Sequence, residues 1–245
     1  MSEHLSKIGI LANQGSILSS TNRKDLIQVV SKYAKPNYQK ALWQISNTIV
    51  PYIGLWALRI FFVLQGYSYW LTLLLTVPAS ALLVRIFIFF HDCCHGAFFP
   101  SRKGNRILGY ITGIMVFTPF DDWKRTHVIH HSASGNLDRR GVGDIWTLTV
   151  DEYLEAPWLK RLAYRLFRNP AVLFCVIPVI LFLIVQRFPS SGAGKRERFS
   201  VYLTNFVLAI LILVMSLTVG FLNLSLIHIS EPTRPILVSR MPSSA

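Results

Sequence analysis

Leu82-Leu83-Val84-Arg85-Ile86-Phe87-Ile88-Phe89-Phe90-His91-Asp92-Cys93-Cys94-His95 ends a long apolar run on two histidines four residues apart. Residues at that spacing share one face of a helix. The run begins at Tyr69 and is broken only by Arg85, so it has the roughly 20 apolar residues a helix needs to span a bilayer. One further turn beyond Phe90 then carries His91 and His95 out of the apolar zone together. Upstream, Thr48 to Leu64 is apolar apart from Arg59, and Gln65-Gly66-Tyr67-Ser68 makes a short turn. The two segments predict a transmembrane hairpin. Pro51 and Pro78 are tolerable inside it, because neighbouring helices satisfy the freed carbonyls, and Trp56, Tyr67, Tyr69 and Trp70 suit the interface.

Downstream, His127-Val128-Ile129-His130-His131 puts three imidazoles on one side of a second helix. Five of the seven histidines therefore fall in two tight groups beside apolar stretches. Imidazole is a borderline ligand that suits iron, zinc, copper and nickel, so convergence of these groups predicts a metal site. The first group alone would read as solvated histidines at a helix end, and the second is a stronger signal; together they point to ligation. Asp92 is placed to accept a ligand's free ring N–H, a role carboxylates often take, with Asp121, Asp122, Asp138 and Asp144 as further candidates. His4 stands alone in a polar stretch and reads as solvated.

Composition supports a membrane chain. Hydrophobic residues make up 52% and charged residues 15%, against about 25% charged in soluble domains. The net charge of +13 lies between apolar runs rather than along one polar face, which disfavours nucleic acid and favours loops facing anionic headgroups. Eleven of the 25 basic residues fall between 91 and 169, so the positive-inside rule puts both histidine groups on the cytoplasmic side. Val201 to Leu222 reads as a third span. Pro170 to Val185 is shorter, and if it crossed, the basic loop at Arg187, Lys195, Arg196 and Arg198 would lie outside; it is expected to be re-entrant or interfacial. Ile107 to Phe120 is Gly-punctuated and expected to pack on the helices or lie at the interface. The three cysteines make no disulfide framework and none is assigned as a nucleophile. The expected class is all-α, an integral membrane helical bundle with a cytoplasmic helical cap carrying the histidines. Residues 1–46 form a polar cytoplasmic arm with a short amphipathic helix near Asp25 to Tyr33, and 47–223 form the membrane domain. From about Leu224 the composition fits neither a span nor a cap. Ser225 to Pro235 looks like translated sequencing adaptor, so 224–245, with His228, is expected to be non-native.

The stretch His91 to Phe99 resembles the first histidine box of membrane fatty acid desaturases, and Thr118 to His131 resembles the second box with its lead-in. Ser134-Gly135-Asn136-Leu137-Asp138-Arg139-Arg140 continues like the acyl-lipid omega-6 (delta-12) branch and its bacterial relatives. The resemblance implies two non-haem iron ions with His91, His95, His127, His130 and His131 among their ligands; no catalytic side chain beyond the ligands is assigned, and Asp92, Asp138 and Asp144 stand as candidate supports from their own position. It further implies O2 as co-substrate, a fatty acyl substrate on lipid or coenzyme A, an electron donor such as ferredoxin or cytochrome b5, and a bacterial inner membrane. Cys94 stands where the family usually has a small residue. The family's third box is absent from the sequence, so the chain as written is expected to be truncated and inactive. Phe89, Phe90, Phe98, Phe99, Phe117, Phe120 and Trp123 are candidates for an acyl tunnel or for ordinary packing. Lys124, Arg125, Arg139 and Arg140 suit a phosphate headgroup, an acidic electron carrier or simple solvation. Related readings are an acyl hydroxylase or carotenoid ketolase, a haem electron-transfer protein, and a non-catalytic fragment.

Overall fold

The computed structural model describes residue 28 and residues 35–133, 135–141 and 143–219. Gln28 apart, the helix expected near Asp25 to Tyr33 lies outside the described residues, as do the tail 224–245, His4 and His228. The described residues are helical with no strand. This is the all-α class that the hydropathy pattern predicts.

Helix α1, Tyr38–Leu64, begins inside the stretch read as a polar arm. The cause is local: the Asn37 side chain accepts from the Gln39 and Lys40 N–H groups at 2.8 and 3.2 Å, which satisfies donors left open in a first turn. A turn containing Gly66 leads into α2, Tyr69–His95. These two helices and the last one, Lys195–Val219, have the length and hydropathy to cross a membrane. Their outward faces carry Val50, Ile53, Leu74, Val77, Phe206 and Leu213, the apolar surface that lipid solvates. Arg59, which interrupts the first span, is instead fully buried, its guanidinium 5.1 Å from the Trp56 ring.

Helix α3, Arg102–Met115, lies against α2, as the Gly-punctuated run at 107–120 led us to expect. A Cβ at Gly109 would stand 2.1 Å from the Phe120 ring, and one at Gly113 would meet the Thr118 carbonyl at 2.6 Å. Only glycine lets the following turn fold back that closely. Helix α4, Phe120–Ala133, carries the second histidine group. Phe89, Phe90, Phe98, Phe99 and Phe120 join one buried cluster with Trp123 packed against it. Most rings read as tunnel candidates are therefore core, whereas Phe117 lines a cavity of about 310 Å³ with Phe182, Leu183 and Leu208.

Beyond a short turn at Leu137–Arg139, α5, Val150–Glu155, and α6, Trp158–Arg168, follow. The segment Val172–Arg187, which includes α7, Ile177–Leu183, is bent 68° from α6. Its far end returns to the start of α4, because Arg187 donates to the Phe117 carbonyl and the Ser190 hydroxyl donates to Asp122 at 2.6 Å. Helix α8, Lys195–Val219, then packs along α4 and α3.

Candidate metal centre

Helix α2 stops at His95, with Gly96 as its C-cap. Gly96 adopts φ +71°, and the Ala97 N–H bonds back to the Asp92 carbonyl at 2.9 Å, the left-handed helix ending that glycine makes easy. The chain beyond is fixed by buried Asn105. Its side-chain oxygen accepts from the Phe99 N–H at 2.8 Å, and its amide donates to the Phe99 and Ser101 carbonyls at 2.6 and 2.9 Å. His91 and His95 are thus held on the last turn of a terminated helix.

Helix α4 reaches them through Trp123. Its indole lies 4.9 Å from the Phe90 ring and stacks on His127 at 4.1 Å with a 19° tilt. His95 Nε2 and His127 Nε2 are 3.1 Å apart, and His131 Nε2 and His127 Nε2 are 2.9 Å apart. With His91, the four imidazoles bring one nitrogen each within 4.8 Å of every other. His130 is turned aside: its Nδ1 lies 2.6 Å from Asp144, and its ring centroid is 6.1 Å from that of His127. His91 Nδ1 lies 3.2 Å from Asp92. Asp138 sits exposed in the 137–139 turn, where its N–H donates to Asn136.

Asp121 and Asp122, read as supports for the histidines, act elsewhere. Buried Asp121 accepts from Arg196 at 3.0 and 2.9 Å, from the Tyr110 hydroxyl at 2.7 Å and from Arg106 at 3.4 Å. Its own N–H donates to Ser200 at 3.0 Å. Asp122 receives Ser190, while Arg125 donates to Ser190 and to the Ser191 carbonyl, each at 2.6 Å. Both carboxylates also sit in the first turn of α4, where its dipole favours negative charge. Arg125 and Arg140 are engaged too, the latter with Glu152. Sequence reasoning missed this clamp, because its partners beyond α4 on the C-terminal side, from Ser190 to Ser200, lie 65 to 79 positions away. It also passed over Asn105, which carries no pattern of its own.

Electrostatics favours ligands over charges. Burial and then the neighbouring histidines hold His127 down to about 3, and burial also lowers His131. Both are neutral near pH 7, the form that binds metal. A neutral ring nitrogen has one hydrogen or one lone pair, so hydrogen bonding alone does not account for the two close contacts made by His127 Nε2. A shared cation would: two nitrogens each about 2.1 Å from one ion stand about 3.0 to 3.4 Å apart for ligand angles of about 90° to 109°, close to both separations. The donor set therefore fits a first-row metal, iron included.

The description fatty acid desaturase belongs to the family model that matches residues 67–230. The chain belongs to the fatty acid desaturase family. A fatty acid desaturase of Bacillus subtilis is 44% identical over 206 residues, covering 84% of this chain and 58% of that protein. An sn-1 acyl-lipid omega-3 desaturase (ferredoxin) of Synechocystis is 26% identical over 104 residues, 42% of this chain and 24% of its own length. An omega-3 fatty acid desaturase of Caenorhabditis elegans is 30% identical over 100 residues, 41% and 23% respectively. The chain thus spans a little over half the length of the Bacillus desaturase and about a quarter of the other two desaturases. No solved structure matches it.

Proposed function

We propose that this chain carries the iron-binding core of a membrane fatty acyl desaturase, in which two non-haem irons, O2 and two electrons introduce a double bond into an acyl chain. The observation that carries the reading is the four-imidazole cluster at the end of an apolar helix, in a chain of this family. Removing two hydrogens from adjacent methylenes while O2 becomes two waters takes two further electrons and two protons. No side chain supplies such an oxidant; the iron centre does.

His91, His95, His127 and His131 would hold the metal, with His130 as a fifth ligand. The Asp144 carboxylate lies 2.6 Å from His130 Nδ1, which leaves Nε2 as the nitrogen free for metal, and a His91 Nδ1–H donating to Asp92 would do the same for His91. Trp123 fixes the His127 ring plane and covers one face of it. The clamp around Asp121 and Asp122 holds α4 against α8, so that the second box keeps its distance from the first.

Both ends of 172–187 connect to the histidine end of the molecule. One is tied through Arg187 and Ser190; the other follows α6, whose Tyr164 and Phe167 pack on Trp146, near Asp144. We therefore read it as re-entrant, with three spans and the basic loops on the cytoplasmic side. The substrate is an acyl-lipid or acyl-coenzyme A, and the donor is ferredoxin or cytochrome b5; a ferredoxin appears in the name of the Synechocystis relative.

The test is iron analysis of the purified chain with its His91→Ala, His95→Ala, His127→Ala and His131→Ala variants, beside fatty acid analysis of membranes supplied with O2 and reduced ferredoxin. Iron that depends on these histidines supports the site; new unsaturation would support the reaction and overturn the expectation that the chain as written is inactive. Iron retained after all four substitutions refutes the site, and hydroxylated products would reassign the reaction.

A further inference from the structure

Helix α6 reads Trp158-Leu159-Lys160-Arg161-Leu162-Ala163-Tyr164-Arg165-Leu166-Phe167-Arg168. At 100° per residue, Trp158, Leu162, Leu166, Leu159, Ala163 and Phe167 occupy one half of the helix surface. Lys160, Tyr164, Arg168, Arg161 and Arg165 occupy the other. The helix contains four basic residues and no acidic one. Among the described residues, none of the four forms an ion pair with a carboxylate, although Arg165 donates to the Tyr153 hydroxyl at 2.5 Å. Among the described residues the helix packs where Tyr164 and Phe167 meet the Trp146 ring at 5.4 and 5.7 Å and where Tyr164 meets the Tyr153 ring at 5.8 Å. Trp158 and Leu159 are 65% and 61% exposed, and Val150 and Leu154 of the preceding helix are exposed as well.

We propose that α6 lies in the plane of the cytoplasmic leaflet, its apolar half among the acyl chains and its basic residues on anionic phospholipid headgroups. Three features of the structure choose this occupant. An exposed apolar stripe backed by unpaired cations is the pattern of a helix at a charged membrane surface. The next segment turns 68° away from α6, as a chain must when it leaves the membrane plane and dips inward. The chain supplies its own spans to hold α6 at the interface, so a weak attraction per cation is enough. An acidic electron carrier would meet the cations but leave Trp158, Leu159 and Leu162 in water. Trp146 lies two residues after Asp144, so lipid charge would steady the loop that holds His130. That consequence rests on the desaturase reading; the placement of α6 does not.

The test uses the full chain in lipid nanodiscs. A nitroxide is attached at Leu162→Cys or Lys160→Cys in a Cys175→Ser background; Cys93 and Cys94 are buried and Cys175 is exposed. Collision rates with O2 and with a water-soluble nickel chelate then report immersion. In bilayers one-third phosphatidylglycerol, position 162 should be open to O2 and several-fold shielded from nickel, with position 160 the reverse. The shielding should fall at least twofold in phosphatidylcholine alone, and likewise when Lys160, Arg161, Arg165 and Arg168 are all changed to Gln. Changing the three arginines to Lys should keep it. Nickel access at 162 equal to that at 160 overturns the proposal, as does shielding indifferent to lipid charge. Low access of 162 to both reagents would mean that protein covers the face, which also overturns it. None of these readouts involves iron or turnover, so failure here leaves the desaturase reading standing.

Discussion

Helix α4 carries acidic residues at its start and histidines at its end, and the two regions do opposite things with neighbouring charge. At the start, Asp121 gathers Arg196, Arg106 and Tyr110 into a buried clamp onto α8 and α3. Two turns later the same helix excludes charge, keeping His127 neutral well below pH 6.5 by burial and by neighbouring imidazoles. Proximity in sequence suggested that Asp121 would serve the histidines. Helical phase decides otherwise: six residues at 100° put Asp121 on a different face from His127. Mutations at the two ends of α4 should therefore separate metal binding from stability.

The largest effect should come at the histidine end. His127→Ala removes the nitrogen that contacts two others and should weaken iron binding more than a hundredfold, about 2.7 kcal/mol or more, measured by metal titration of the chelated chain. Its thermal unfolding without metal should hardly move. At the other end, Asp121→Ala leaves Tyr110 and two guanidinium groups without their acceptor. Arg196 is 57% exposed and can turn to water, so the cost should be about 2–3 kcal/mol, read as a lower unfolding midpoint in detergent. Iron bound per folded molecule should change little. If Asp121→Ala removed iron without destabilising the chain, the division of labour argued here would be wrong. The double variant Asp121→Ala/Arg196→Ala should cost less than the sum of the single ones.

What could be read from the sequence, and what could not, follows the same division. The three spans, the emergence of His91 and His95 from the apolar zone and the grouping of histidines on two helix ends depend on local hydropathy and i, i+4 spacing. Both are written in consecutive residues. Helix α1 starts at Tyr38, inside the stretch read as a polar arm, because the cap at Asn37 outweighs local polarity. The turn of His130 toward Asp144 was hidden for a different reason. HxxHH puts three imidazoles on one side of a helix, but at 300° and 400° from His127 they fan over about 100°. Which of them meets the first box depends on how α4 rolls against α2, and Trp123 and the distant Ser190 and Arg196 set that roll. Long-range hydrogen bonds of that kind leave no periodic trace.

A milder perturbation sharpens the contrast. Asp144→Asn keeps the shape beside His130 but removes the charge that orients its ring. Iron affinity should fall about 10- to 100-fold, some 1.4–2.8 kcal/mol, with the unfolding midpoint nearly unchanged. Equal affinity in the variant would mean that His130 is not a ligand and that the site rests on the other four.

The smallest effect is one of pH on the metal-free chain. In the unfolded chain His127 takes up a proton near its ordinary value of 6.5, whereas in the fold it stays neutral until about 3. Between these values the unfolded state binds more protons, so stability falls as pH drops below 6.5 and is unaffected by this group above it. With allowance for the partial exposure of the ring, the loss at pH 5 should be on the order of 1 kcal/mol. His127→Gln should flatten the dependence, whereas Asp121→Ala should lower the whole curve without changing its slope there. Metal should protect the wild-type chain near neutral pH and progressively less below it, because protons compete for the same nitrogens. Parallel curves for wild type and His127→Gln would show that the buried imidazole pays no such penalty, and the electrostatic half of the comparison would then fail.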